Sequence, residues 1–177
     1  IEISSPPVIH NDLCGERGWQ LYLIAKGNKT IVAQTIKVQD IESYTRRDRE
    51  RPKRDSRVGM LPPKLAQTII NLAAGKLPEE KLQNICDIPA GQPIPKPLLG
   101  KNVLDPFCGT GVLLQEALIM GYSAYGSDLD QRMVDYSQQN IEWLKSWHKF
   151  ETDYAIEPGD ATLIKWDNFP LIDYVAS

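Results

Sequence analysis

Residues 102–111 read Asn102-Val103-Leu104-Asp105-Pro106-Phe107-Cys108-Gly109-Thr110-Gly111. A short apolar run ends on an acid and a glycine turn follows. Val112 to Met120 then places Leu113, Leu114, Ala117 and Leu118 on one side, with Gly121 as a stop. This is a buried strand turning directly into a helix. Glycines at such a turn let the backbone approach a ligand closely, and the helix N-terminus supplies positive potential. A dinucleotide loop would place a third glycine at position 114, which is leucine, and the Gly-Lys-Ser/Thr of a P-loop is absent. Asp105 opposes a phosphate but suits a ligand carrying an ammonium group. That points to an amino-acid-bearing nucleoside. The competing reading is a tight turn with no ligand, which a Gly-x-Gly alone would favour.

The same grammar continues downstream. Tyr122 to Ser127 is expected to form a second strand, and Asp130 to cap a helix reaching about Lys149, with Val134, Ser137, Ile141 and Leu144 in line. Asp153 to Glu157 and Leu171 to Ala176 complete about four core strands. Strands alternating with helices predict right-handed crossovers and a parallel sheet covered on both faces, an α/β fold. Asp128 ends the second strand 17 residues past Gly111, near the ~20 expected of an acid that accepts hydrogen bonds from ribose hydroxyls. Asp160, in Gly159-Asp160-Ala161, could hold the exocyclic amine of an adenine, and alone reads equally as a turn residue. Three acids at three successive strand ends converge on one crevice.

Upstream, Pro62-Pro63 opens a helix carrying Leu65, Ile69 and Leu72, stopped by Gly75. A short second helix is expected after Pro78. Pro89, Pro93, Pro95 and Pro97 make residues 87–100 an irregular linker. Residues 19–38 read as a hairpin turning at Gly27-Asn28, one face carrying Trp19, Leu21, Leu23 and Ala25. Residues 1–18 read as irregular and 39–61 as a polar connection. The chain divides on this reading into 1–61, an N-terminal segment with hairpin and basic linker; 62–100, a helical lead-in and Pro-rich linker; and 101–177, the sheet.

The 177 residues carry 20 basic and 23 acidic side chains, net −3, with 42% hydrophobic and 24% charged residues. This composition excludes a disordered tail, a collagen repeat and a coiled coil. The longest apolar run, Leu21 to Ala25, is far short of the roughly 20 residues needed to cross a bilayer, so no membrane partner is expected. Cys14, Cys86 and Cys108 have neither metal-ligand nor disulfide spacing, and free thiols point to an intracellular, cytoplasmic protein. Charge is uneven: residues 46–57 (RRDRERPKRDSR) hold seven basic and three acidic groups, net +4, leaving −7 elsewhere. A basic strip on an acidic body suits an anionic partner, and a self-paired, solvated charge run suits it equally.

Asp-Pro-Phe-Cys-Gly-Thr-Gly, Gly-Ser-Asp-Leu-Asp and Gly-Asp-Ala together resemble a class I S-adenosylmethionine-dependent methyltransferase. With Arg47-Asp48, Arg51-Pro52, Arg54-Asp55 and Gly59-Met60-Leu61-Pro62-Pro63-Lys64-Leu65-Ala66-Gln67, the chain is similar over residues 19–177 to the THUMP-associated tRNA guanine-N2 methylases. The resemblance implies a Rossmann-like class I methyltransferase sheet, here partial and preceded by a hairpin and helix. It implies S-adenosylmethionine as cofactor, tRNA as partner, and methyl transfer to the exocyclic amine of guanosine. By position, Asp105 and the backbone of Phe107, Cys108, Gly109, Thr110 and Gly111 would surround the methionine end and ribose. Asp128 would hold the ribose hydroxyls, Leu129 would lie against the adenine, and Asp160 and Ala161 would bracket its edge. Met60 and Leu61 would line the pocket ahead of the first helix. Arg46, Arg47, Arg51, Lys53 and Arg54 are candidates for phosphate contact, although Arg51 and Arg54 also suit locking the hairpin onto the core.

Two departures from the family pattern matter. Its acidic or Asn-Pro-Pro motif follows the fourth strand, and this chain stops at Ser177 just before it; nor is there room upstream for a THUMP domain. The expectation is the cofactor-binding half of such an enzyme, which alone binds S-adenosylmethionine weakly or not at all and is inactive, with no catalytic or metal-binding residue assigned and an uncovered sheet edge open to self-association. A DNA amino-methyltransferase and a non-catalytic nucleoside- or RNA-binding module are the alternatives. An NAD-linked oxidoreductase explains the loop and Asp128 but not the upstream block. No nucleophile motif lies near His10 or His148, and Trp143 and Trp147 at i, i+4 read as helix packing.

Overall fold

In a computed structural model, described for residues 5–14, 18–35, 38–57, 59–75, 100–163 and 169–177, the alternating strands and helices form one four-stranded sheet. Its strands are β3 (Asn102–Asp105), β4 (Ser123–Asp128), β5 (Tyr154–Pro158) and β6 (Tyr174–Val175), all parallel, in the order β5-β4-β3-β6. The short runs at β3 and β4 are buried, and each lies between glycine turns or a glycine turn and a helix cap. The chain steps outward from β3 to β4 to β5, then returns to the other side of β3 for β6. Strand order therefore reverses at β3.

Three helices cover one face: α3 (Pro63–Ala74), α4 (Val112–Ile119) and α5 (Gln131–Lys145). Ala66 and Ile70 of α3, Leu114 and Leu118 of α4, and Val134 and Ile141 of α5 pack with Val103, Ala124 and Ile156 of the sheet. Each of the buried valine, leucine and isoleucine side chains among them contributes about 1.5–3 kcal/mol. Helix α4 is buried nearly all round, which a helix pressed between a sheet and a further helix requires. Asp130 caps α5, its Oδ1 accepting the Arg132 N–H at 2.9 Å, and Gly75 ends α3 at φ 67°. The opposite face carries Leu104 and Tyr125 with Phe169, Ala155 and Ile172, and none of the described helices lies on it. The expectation of helices on both faces is thus met on one face among the described residues.

By its contacts the chain forms two compact units, Ile1–Ser43 and Tyr44–Ser177. The boundary puts the basic strip in the larger unit, whereas the sequence reading grouped it with the hairpin. In the smaller unit β1 (Leu21–Lys26) and β2 (Lys29–Gln34) pair antiparallel around Gly27-Asn28, as expected. Both faces of this ribbon are exposed, so the alternation at Leu21 and Leu23 does not mark a buried side. Residues 1–18 are not wholly irregular: α1 (Ser5–His10) opens with prolines in its first turn, where a missing N–H costs nothing. The short helix expected after Pro78 and nearly all of the Pro-rich linker lie outside the described residues.

Residues 39–61 are likewise more than a connection. They contain α2 (Ile41–Arg49), started by Asp40, whose side chain accepts the Ser43 N–H at 2.9 Å. From Tyr44 to Arg57 the chain runs as a strap over α4 and α5. Arg47 is 5% exposed, and its Nε meets Glu116 of α4 at 2.6 Å; Gln67 of α3 donates to the other Glu116 oxygen at 2.6 Å. The Tyr44 hydroxyl donates to Gln67 Oε1. Arg46 lies over Trp147 at 4.4 Å, and Asp55 pairs with Arg132 of α5 at 3.1 Å.

The Arg47–Glu116 pair is buried on both sides, so removing one partner strands the other charge. Glu116→Ala is expected to destabilise the larger unit by about 3–5 kcal/mol in urea titration. A loss below about 1 kcal/mol, the ordinary worth of an exposed pair, would contradict this account.

Candidate functional site

Ligands of open parallel sheets bind beyond the carboxyl ends of the strands, where strand order reverses. In this sheet that place is the end of β3, and it is occupied by Asp105 and the loop to Gly111. Asp105 is in register with Gly126 of β4, and a Cβ on Gly126 would lie 2.6 Å from Leu114 Cδ1. Glycine at 126 is what lets α4 descend onto β4.

The loop is held from three sides. The Cys108 N–H donates to Ser127 O at 2.8 Å, and the Gly109 N–H donates to Asp128 Oδ2 at 2.9 Å. Ser137 Oγ donates to Gly109 O and Asn140 Nδ2 to Thr110 O, each at 2.9 Å. Gly109 and Gly111 have φ of 52° and 77°. Gly111 is the N-cap of α4, and a Cβ there would lie 2.6 Å from Ser137 Oγ. The loop therefore needs glycine at 111 for conformation and for room.

The acids give the site its character. Asp105 is 4% exposed; burial, with the Asp128 carboxylate nearby, pushes its carboxyl up to about 6 against the pull of the Phe107 N–H. Half-buried Asp128 accepts Gly109 N–H on one oxygen and Asp130 N–H at 3.0 Å on the other, which leaves a lone pair free on each. Burial also pushes the Cys108 thiol up to about 12, so it is protonated and unreactive at neutral pH. Phe107 and Leu129 stand 67% and 78% exposed beside these acids. A carboxyl held against its own ionisation chiefly by burial, with a second carboxylate adding to it, is stabilised in its charged form by a nearby cation.

Other expected residues are placed differently. Asp160 is taken up by its own turn, accepting from Thr162 N–H and Oγ1 at 2.9 and 2.7 Å. Ala161 lines a cleft of about 540 Å³ with Leu104, Phe107, Ile172 and Val175, on the face away from α4. Leu61 packs on the main core, and Met60, exposed, accepts from Arg54 Nε at 3.3 Å. Of the arginine set, Arg47 and Arg51 do not reach the surface: Arg51 is 4% exposed, and burial lowers its pKa. As phosphate contacts both are corrected, because both side chains are buried, Arg47 against Glu116 of α4. Arg46 and Arg54 are exposed and Lys53 half-buried.

Sequence reasoning missed Ser137 and Asn140, which grip the loop. The available signal was a small polar residue in the apolar line of α5, where Ser137 falls between Val134 and Ile141.

A parallel sheet reversing its order at an acid-tipped central strand defines the class: a Rossmann-like α/β fold. Comparison of sequences narrows it. The tRNA (guanine(10)-N2)-dimethyltransferase of Methanothermobacter thermautotrophicus is 32% identical over 109 residues, 62% of this chain and 24% of the relative. That of Pyrococcus abyssi is 27% identical over 171 residues, 96% of this chain and 39% of the relative. The chain is similar to these tRNA guanine-N2 methylases and spans well under half their length. TrmN from Thermus thermophilus, a solved structure, is 20% identical and covers 98% of this chain and 46% of its own, with a TM-score of 0.43. No family model matches the chain.

The two loop glycines separate conformation from space. At Gly109, where nothing lies within 4 Å of a Cβ, alanine is expected to cost about 1–2 kcal/mol from its left-handed φ alone. Gly111→Ala adds the clash with buried Ser137 and should cost at least twice as much in thermal unfolding. Equal costs would mean that Gly111 does not sit against α5.

Proposed function

We propose that this chain is the cofactor-binding part of a methylase that acts on the exocyclic amine of guanosine in tRNA, with S-adenosylmethionine held at the end of β3. The observation that carries the proposal is Asp105: a carboxyl raised by burial, with the Asp128 carboxylate adding to it, at the switch point of a chain similar to tRNA guanine methylases.

The residues present fit the cofactor. Asp105 would pair with its ammonium group, and Asp128 has an unused lone pair on each oxygen for two ribose hydroxyls. The left-handed backbone at Gly109 and Gly111 leaves room for close approach beside Phe107, Cys108 and Thr110. Exposed Leu129 offers an apolar surface to the adenine, with Asp160 and Ala161 at its edge and Met60 and Leu61 ahead of α3. Bound there, S-adenosylmethionine supplies an electrophilic methyl group for an amine nitrogen. The chain's own residues bind and orient, and we assign none of them a proton transfer. The amine must leave its stack to reach such a site, which makes the surrounding RNA contacts part of the same function.

For those contacts we assign Arg46 and Arg54, exposed on the strap, and half-buried Lys53 between them. A cytoplasmic location belongs to the same proposal. Among the described residues no helix is long and apolar enough to cross a membrane.

Two measurements test the reading. Asp105 must be ionised to pair with an ammonium group, so ligand affinity is absent where it is protonated and rises with pH. S-adenosylmethionine binding, followed by calorimetry, is expected to strengthen about tenfold per unit as pH rises towards 6 and to level off above it. Asp105→Asn should weaken binding and flatten the profile. A flat profile in the wild type, or tighter binding of NAD, would overturn the assignment. For the strap, Arg46→Ala and Arg54→Ala should each reduce the slope of log affinity for a tRNA transcript against log salt by about 1. Unchanged slopes would remove these residues from the RNA surface.

A further inference from the structure

We propose that Asn140 is a positioning residue that couples the glycine loop to the basic strap, so that filling the crevice orders the surface that meets RNA. The inference rests on the cofactor reading above and adds regulation to that site.

Asn140 lies on α5 and is fully buried. Its Oδ1 accepts the Lys53 N–H at 2.9 Å, and its Nδ2 donates to Lys53 O at 2.9 Å. This closes a two-bond ring with the strap backbone, the pattern of a strand pair, and fixes the orientation of the Lys53 peptide units. The same Nδ2 also donates to Thr110 O at 2.9 Å. One amide group thus spends both donor hydrogens and an acceptor site on three backbone groups from two distant segments. No other natural side chain of this size replaces it: aspartate lacks the donors, and leucine leaves all three groups unsatisfied.

The two segments it joins are the ones with work to do. Thr110 lies between Gly109 and Gly111, the left-handed residues at the candidate cofactor site. Lys53 lies beside exposed Arg54 on the strap, with its ammonium 5.4 Å over the Tyr136 ring. The strap has further anchors, Arg47 on Glu116 and Asp55 on Arg132. Those hold it to α4 and α5 without engaging the loop backbone. Asn140 engages both, so any reorientation of the Thr110 carbonyl is felt at Lys53. Coupling between sites is reciprocal: an anionic partner that orders the strap must strengthen nucleoside binding by the same factor.

Amide hydrogen exchange on the full chain reads this directly. S-adenosylmethionine is expected to slow exchange at Cys108 to Gly111 and also, about fivefold or more, at Lys53 and Arg54. In Asn140→Ser the loop should still be protected and the strap should not. In Asp55→Asn, which loosens a different anchor, both should remain protected. Loop protection without strap protection in the wild type overturns the coupling and leaves the cofactor reading standing. Strap protection that survives in Asn140→Ser also overturns it. No protection at the loop overturns the cofactor reading and this inference with it. Should Asn140→Ser fail to fold, the reverse experiment on the wild type decides: a tRNA transcript must slow exchange at Gly109 and Gly111, and unchanged rates there overturn the proposal.

Discussion

Gly111 sits against Ser137 with no space for a side chain between them, and that contact sets the geometry of the whole site. It brings the start of α4 onto α5, lets β3 end where the strand order reverses, and leaves Asp105 buried at the tip. Gly126 makes a matching contact beneath Leu114, so β4 approaches from the other side and delivers Asp128. Burial raises the Asp105 pKa, and the Asp128 carboxylate is held close enough to add to that. A protein tolerates that repulsion where a cation relieves it. On the proposed function, the energetic cost of the site and its capacity to bind an ammonium-bearing nucleoside have the same origin.

The strap gives the second half of the logic. Its charges do two jobs according to depth. Arg47 is drawn inward to Glu116, where it joins the strap to the helix that begins at the glycine loop. Arg46 and Arg54 stay outside. A run that carries net +4 in the sequence therefore presents fewer cations to a partner than its composition suggests. Its backbone is tied by Asn140 to the same loop that carries the acids.

Much of this was legible in the sequence, for local reasons. Gly75 and Gly121 stop helices, Asp130 caps one, and the alternation after residue 101 dictates parallel pairing; each signal acts within a few residues. The acids at 105 and 128 could be placed because strand ends converge. What stayed hidden depends on distant partners. Helix α2 has no apolar stripe, and its tertiary ties include Arg47 to Glu116, 69 residues away. The same pairing explains why Arg47 reads as a surface charge and is a buried one. Asp160 looks like its two counterparts, yet one of its carboxylate oxygens is engaged by Thr162 two residues on, which only backbone geometry decides. Ser137 and Asn140 are ordinary polar residues of a helix until the loop lies against them.

The account turns on the Asp105 carboxyl being held out of its ordinary range and being released by a cation. The direct measurement is its carboxyl ¹³C chemical shift through a pH titration, with and without S-adenosylmethionine. The account predicts a midpoint near 6 in the free chain, moving well below it in the complex. A midpoint at the ordinary aspartate value of about 3.9, unmoved by the ligand, would contradict it.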